Sequence, residues 1–277
     1  MKNNKIIILV ASHKPDKVYQ DNVYIPIHVG RAISKYQEEM AWMIGDDTGD
    51  NISKKNPNYC ELTAQYWAWK NLKDIEYIGL CHYRRYFETQ ITKENIDKLL
   101  GKKYDIILPR PIIVRHPVGS RLIQATCLED TYIFMHTLKK LYPDYVKTAI
   151  RYLNGNKVIA FNMFVMPKHL FDQYAQWEFS ILAEMEKYVH LSGYSRMRRL
   201  YGYIAEVLLP IYSIHNKLHV HYDKVVPMLG EKEKINKIRE LYNKLYNKCA
   251  FFISAQKVDL TYDAVKIGLK NDGIIID

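Results

Sequence analysis

Cysteine is scarce in this chain, and its spacing excludes two ways of holding a fold together. Cys60, Cys81, Cys127 and Cys249 lie far apart in the sequence. No C-x-x-C pair marks a structural zinc site or a thioredoxin-like centre, so reduced thiols in a cytosolic compartment are the expectation. Long apolar runs are missing as well. Residues 6–11 form one short run, too brief for a bilayer span and without a signal-peptide cleavage pattern, and it reads as a first buried strand. The P-loop, G-x-G-x-x-G, G-x-S-x-G and H-E-x-x-H patterns are absent, which sets aside the common nucleotide-hydrolase, dinucleotide, serine-hydrolase and zincin readings. No repeat, low-complexity tract or flexible linker interrupts the chain.

What is present is positive charge and tyrosine. The 277 residues carry 40 Lys/Arg against 30 Asp/Glu, a formal charge of +10. Residues 196–248 hold 11 Lys/Arg and 5 Asp/Glu, so the basic excess sits in the last third. Such an excess suits nucleic acid, an acidic membrane surface or phosphorylated substrates. No helix-turn-helix, zinc-finger or RNA-recognition signature accompanies it, and nucleic acid is therefore not expected. The 23 tyrosines serve equally in cores, on sugar faces and at membrane interfaces, and decide nothing alone.

The length fits one α/β domain with a helical appendage. Strand 5–11 is followed by a short apolar segment at 41–44 and a turn-rich stretch, GDDTGDN, at 45–51. Residues 61–72 place Leu62, Tyr66, Trp69 and Leu72 on one helical stripe and lead into a strand at 77–81, which makes a βαβ order. Beyond it the pattern predicts a charged helix at 92–100, a strand at 104–108, helix over 128–153, a strand at 157–167 centred on Asn162, and helices at 169–188 and 202–209. Residues 231–252 form a basic amphipathic helix with Ile235, Ile238, Leu241 and Leu245 on its stripe. Either this stripe packs on the core or it meets an anionic membrane. The expected partition is a catalytic-type domain over 1–226 and a helical extension over 227–277.

The most informative stretch is YIGLCHYRRYF at 77–87, where an apolar strand delivers His82, Arg84 and Arg85 together. Residues two apart on a strand share a face, so His82 and Arg84 are expected to project side by side from the carboxyl end, where open α/β sheets place ligands. The natural guest of such a cluster is a diphosphate. Asp46 and Asp47 follow a short apolar segment, which suits hydroxyl or base recognition and equally a solvated turn. Asn162, polar within an apolar strand, needs a partner, either a neighbouring loop or a ligand. Glu206 lies among apolar residues in GYIAEVLLP; it is either a partly desolvated general base or the ion-pair partner of Arg196, Arg198 or Arg199. His219 and His221 alternate as metal ligands would, but no third ligand is evident.

Several blocks in order, GDDTGDNIS (45–53), NPNYCELTAQYWAWKN (56–71), YIGLCHYRRYF (77–87), FNMFVM (161–166) and GYIAE (202–206), resemble a family of bacterial glycosyltransferases long catalogued as a domain of unknown function. Its members recur in capsular polysaccharide, exopolysaccharide and O-antigen gene clusters, and some are assigned to galactosyl or galactofuranosyl transfer. The resemblance spans about residues 5–215. It implies a GT-A-like fold of class α/β, with a mostly parallel central sheet and a helical C-terminal extension. Where the family usually has E-R-L, this chain has Glu206-Val207-Leu208, so that arginine's role is missing or displaced. Where GT-A enzymes commonly carry Asp-x-Asp for a divalent metal, this chain has His82-Tyr83-Arg84. Arginine gives charge-assisted bidentate bonds to phosphate without an ion, and metal-independent transfer is expected, with Mn²⁺ or Mg²⁺ held by His82 and Asp46 or Asp47 as the alternative.

The resulting expectation is a cytoplasmic hexosyltransferase, peripheral on the inner face of the membrane, taking a UDP-sugar donor and an oligosaccharide or lipid-linked acceptor. His13, Asp46 and Asp47 hold the nucleoside; His82, Arg84 and Arg85 hold the diphosphate; Asn162 and Tyr83 meet sugar or acceptor; Glu206 is the base if transfer inverts. The rival readings are a non-catalytic nucleotide-sugar-binding scaffold and a sugar-nucleotide hydrolase.

Overall fold

The computed structural model describes residues 5–231, 236–260 and 263–276. The chain begins with β1 (Ile6–Ser12), β2 (Tyr24–His28), β3 (Ile44–Gly45), the single turn α1 (Asn56–Tyr59), α2 (Leu62–Asn71), β4 (Tyr77–His82), β5 (Tyr86–Phe87), α3 (Ile96–Leu99) and β6 (Ile106–Pro109). It continues through β7 (Ile112–Ile113), α4 (Val118–Ala125), α5 (Leu128–Leu141), α6 (Val146–Leu153), β8 (Lys157–Val158), β9 (Phe164–Pro167), α7 (Lys168–Met185) and α8 (Leu200–His215). The last elements are β10 (Val220–Asp223), β11 (Val225–Val226), α9 (Lys237–Ser254) and α10 (Asp263–Asn271). Among the described residues, one compact unit takes those up to Arg110, Ile159–Gln176 and those from Lys217 to 231; a second takes Pro111–Val158, Trp177–Asn216 and those from 236 onward.

The first unit is built on a seven-stranded sheet of order β10-β6-β9-β4-β1-β2-β3. Only β9 runs against its neighbours; the other pairings are parallel. The apolar run of β1 is almost wholly buried, as expected of a strand covered on both faces. The chain adds β2 and β3 on one side of β1, then crosses through α2 to add β4 on the other. Open α/β sheets place their ligands at such a reversal, here beyond the carboxyl ends of β1 and β4.

Several local expectations change. The short apolar segment at 41–44 yields only the two-residue β3, and the helix expected at 92–100 is reduced to Ile96–Leu99. Strand β2 gives no clear signal in sequence because Pro26 lies in its middle, and proline removes a ladder donor. The strand expected at 157–167 is broken. β8 and β9 flank a bend in which Phe161 has φ 82° and Asn162 φ 49°, both left-handed. Asparagine tolerates that region; phenylalanine rarely adopts it. Asn162 therefore sits in a loop at the entry to β9, not at the centre of a strand.

In the second unit α4 and α6 pack on α8. Tyr145 stacks on His215 with ring centroids 3.6 Å apart and packs on Trp177 at 4.8 Å, one aromatic core that absorbs part of the tyrosine excess. The expected boundary at 226/227 does not appear: residues 227–231 belong to the first unit, and the described residues from 236 onward belong to this one together with Pro111–Val158 and Trp177–Asn216.

Candidate active site

At the end of β4 the chain turns back at once. His82 N–H donates to the Arg85 carbonyl at 3.1 Å and Arg85 N–H returns a bond to the His82 carbonyl at 3.0 Å, leaving Tyr83 and Arg84 at the tip. The strand alternation thus ends at His82, and the expected shared face of His82 and Arg84 is replaced by a tight turn. The turn still gathers the cluster by another route. Tyr83 N–H bonds the Ala11 carbonyl at 3.2 Å, tying the tip to β1, and the Tyr83 ring meets His13 edge-on at 5.7 Å.

Each cation of the turn has a distinct neighbour. Arg84 Nη2 lies 2.6 Å from Asp16 Oδ2, in the loop after β1, and its guanidinium lies 5.2 Å from the Tyr83 ring centroid. The backbone N–H of Lys17, and then Arg84, hold the Asp16 carboxyl below its usual range. Arg85 lies 4.3 Å from the Phe161 ring centroid. His82 Nε2 is 2.6 Å from the Phe161 carbonyl oxygen. A carbonyl only accepts, so Nε2 carries the hydrogen and Nδ1 is left for another partner.

The left-handed loop carries a second feature. Asn162 Nδ2 donates to Glu61 Oε1 at 2.7 Å, in a buried contact. Glu61 stands at the start of α2 with 8% exposure, and no cation pairs with it among the described residues. Buried carboxylates are normally paired. The residue before it, Cys60, has φ 54° and ψ −130°, so strained non-glycine backbone flanks both partners of this bond. Such strain concentrates at functional sites. Sequence reasoning passed over Glu61 because its position at a helix start gives it an ordinary role.

At the far side of β1, Asp46 is fully buried and accepts from Gly30 N–H (2.7 Å), Arg31 N–H (3.1 Å) and Ser53 Oγ (2.5 Å). Its carboxylate shapes the loop after β2. Asp47 lies 3.9 Å from Arg31 Nη1 and is partly exposed. His28, at the carboxyl end of β2, is fully buried with no hydrogen bond to either ring nitrogen among the described residues. Burial lowers its pKa, and Arg31 adds to this while Asp46 opposes it. Glu206 is half-buried on α8 of the second unit.

A GT-A architecture raises the question of a divalent metal. Among the described residues no group of three or more His, Cys, Asp or Glu side chains converges on one point. His82 Nε2 faces a carbonyl and Asp46 is taken up by protein donors, so of the alternative metal set only His82 Nδ1 and the partly exposed Asp47 carboxylate have capacity for an ion. His219 pairs with Asp105 at 3.3 Å and His221 packs edge-on to Tyr104 at 5.0 Å, ordinary roles for both.

The profile of a family described as "Domain of unknown function (DUF4422)" matches residues 7–217. No curated protein matches the chain. Among solved structures it is similar to the apo structure of the bifunctional glycosyltransferase WbbM, with 28% identity and a TM-score of 0.69, over 84% of this chain and 48% of that one. The chain thus spans about half the length of that protein. The mixed α/β fold, with its mostly parallel sheet, is GT-A-like.

Proposed function

The chain belongs to the family described as a domain of unknown function (DUF4422), and on that premise we propose that it is a glycosyltransferase that moves a hexosyl unit, galactosyl or galactofuranosyl, from a UDP-sugar to a lipid-linked or growing surface-polysaccharide acceptor. The observation that carries this reading is the cationic turn His82–Arg85 at the carboxyl ends of β1 and β4, in a fold similar to that of a glycosyltransferase.

In this reading Arg84 and Arg85 take the donor diphosphate, and Asp16 is the carboxylate that Arg84 gives up when phosphate arrives. His82, fixed by the Phe161 carbonyl, orients the loop that holds Asn162. His13 and Asp47 meet the nucleoside, while Asp46 shapes the pocket without touching it. Asn162 and Glu61 bind hydroxyls of the transferred sugar, and Tyr83 covers it. The acceptor oxygen attacks the anomeric carbon as the bond to the β-phosphate breaks, and the electron pair leaves on UDP. Fixed guanidinium charges stabilise that leaving group where its charge develops. The hydroxyl proton goes to a carboxylate, for which Glu206 is the proposed base in an inverting reaction. No step requires a metal.

The test is isotope-labelled UDP-galactose or UDP-galactofuranose with and without acceptor extract. Acceptor-dependent release of UDP is the expected result. Release to water alone would make the chain a sugar-nucleotide hydrolase, and binding without turnover a scaffold.

A further inference from the structure

An amphipathic helix of a globular protein turns its apolar stripe toward the core. Helix α9 does the reverse. At about 100° per residue, Ile238, Leu241, Tyr242, Leu245, Tyr246 and Phe252 fall within an arc roughly 140° wide. All six are exposed, Ile238 by 82% and Phe252 by 69%. The half-buried residues, Asn247, Ala250 and Phe251, lie on the opposite side. There Asn247 Nδ2 donates to the Ile113 carbonyl at 2.9 Å, so the helix docks on β7 of its own unit by its back. Its start is well capped, with the Asn236 side chain accepting from Ile238 and Arg239 N–H at 3.2 Å each. Ile235, expected on the stripe, lies outside the described residues; the rest of that stripe does not pack on the chain's own core.

We propose that this outward face of α9 lies in the headgroup region of an anionic lipid bilayer. Three observations select lipid over a second protein chain. The arc is wider than the narrow seam of a coiled coil. It carries two tyrosines, whose apolar rings and polar tips suit the boundary between acyl chains and water. Cations line both margins, Lys244 and Lys248 along one and Arg239 along the other. With Lys237 they give the helix four cations against Glu240, a net +3 that complements an anionic surface. No helix among the described residues is long and apolar enough to cross a membrane, so α9 lies on the surface.

Co-sedimentation of the full chain with phosphatidylcholine vesicles, with and without phosphatidylglycerol, tests this at low and high salt. The expected result is partitioning about tenfold stronger on anionic vesicles at low salt, lost as salt rises. The pair Leu245→Asp and Phe252→Asp should lower partitioning at least about tenfold, with thermal unfolding and UDP affinity unchanged because neither residue packs on the core or belongs to the donor site. Lys244→Glu with Lys248→Glu should remove the anionic preference. No binding at low salt, or binding indifferent to both pairs, overturns the proposal. A concentration-dependent dimer abolished by Leu245→Asp would assign the face to a second copy and overturn it equally. UDP affinity is read separately, so failure here leaves the transferase reading untouched.

Discussion

Arg84 is held by a carboxylate of its own chain, and that sets the first expectation. Arg84→Ala should weaken UDP binding by about ten- to a hundredfold, because charge-assisted bonds are lost, as measured by isothermal titration. Arg84→Lys should restore only part of this, since an ammonium lacks the planar fork. Asp16→Asn should tighten binding by less than about fivefold, because an exposed ion pair competes only weakly; a loss of affinity would show that Asp16 positions Arg84 for the donor. The two carboxylates separate by a different readout. Glu206→Gln should keep donor binding and lose about 10²–10⁴-fold in turnover, whereas Glu61→Gln should raise the donor KM. The reverse pattern would move the base to Glu61. His28 supplies a pH signature. Its folded pKa is depressed by burial, so the unfolded state takes up a proton first. Stability is unaffected above the ordinary histidine value of about 6.5 and falls as pH drops through it toward the lower folded value. His28→Leu should flatten the decline of Tm between pH 7 and pH 5.

At the scale of elements, legibility followed burial. β1 and β4 were readable because each carries an apolar run of its own, and the βαβ order followed from them. α2 lies where it was expected, but of the stripe Leu62, Tyr66, Trp69 and Leu72 it buries only Leu62, alongside Thr63, Ala64, Gln65, Trp67 and Ala68. A helix covered by its neighbours buries small and polar residues that a simple apolar stripe passes over. β2 was hidden by Pro26, and β3 spans only Ile44–Gly45, too short for a periodicity to register. The candidate site was legible in its residue types and not in its geometry. The residue types at 82–85 and at Asn162 announced themselves, but their geometry depends on a reverse turn and on left-handed backbone at Phe161 and Asn162, which no alternation pattern encodes. Glu61 and Asp16 were missed because each matters only through a partner distant in sequence. Gly79 shows how closely the central strands sit. A Cβ there would lie 2.9 Å from the Phe164 carbonyl oxygen on β9 and 3.1 Å from Ile8 on β1. Gly79→Ala should therefore cost about 1–3 kcal/mol, read as a lower urea midpoint, and because Phe164 begins the strand after the Asn162 loop, it should also lower turnover.

For the whole molecule the proposed reaction turns on how the departing nucleoside diphosphate is neutralised. A GT-A fold can do this with a metal ion held by carboxylates or with side-chain cations alone. Here the formal charge is +10, the carboxyl ends of β1 and β4 carry Arg84 and Arg85, and the nearby carboxylates are committed elsewhere: Asp46 to backbone donors, Asp16 to Arg84, Glu61 to Asn162. Guanidinium pairs retain their charge over the working pH range and need no water displaced from a metal shell. Transfer by the full chain should therefore survive excess EDTA with little change in kcat, while Arg85→Ala should depress kcat more than KM, because stabilisation of the departing diphosphate is greatest in the transition state. Loss of activity on chelation, restored by Mn²⁺, would overturn this and direct the search to Asp16 and Asp47, the two exposed enough to turn toward an ion.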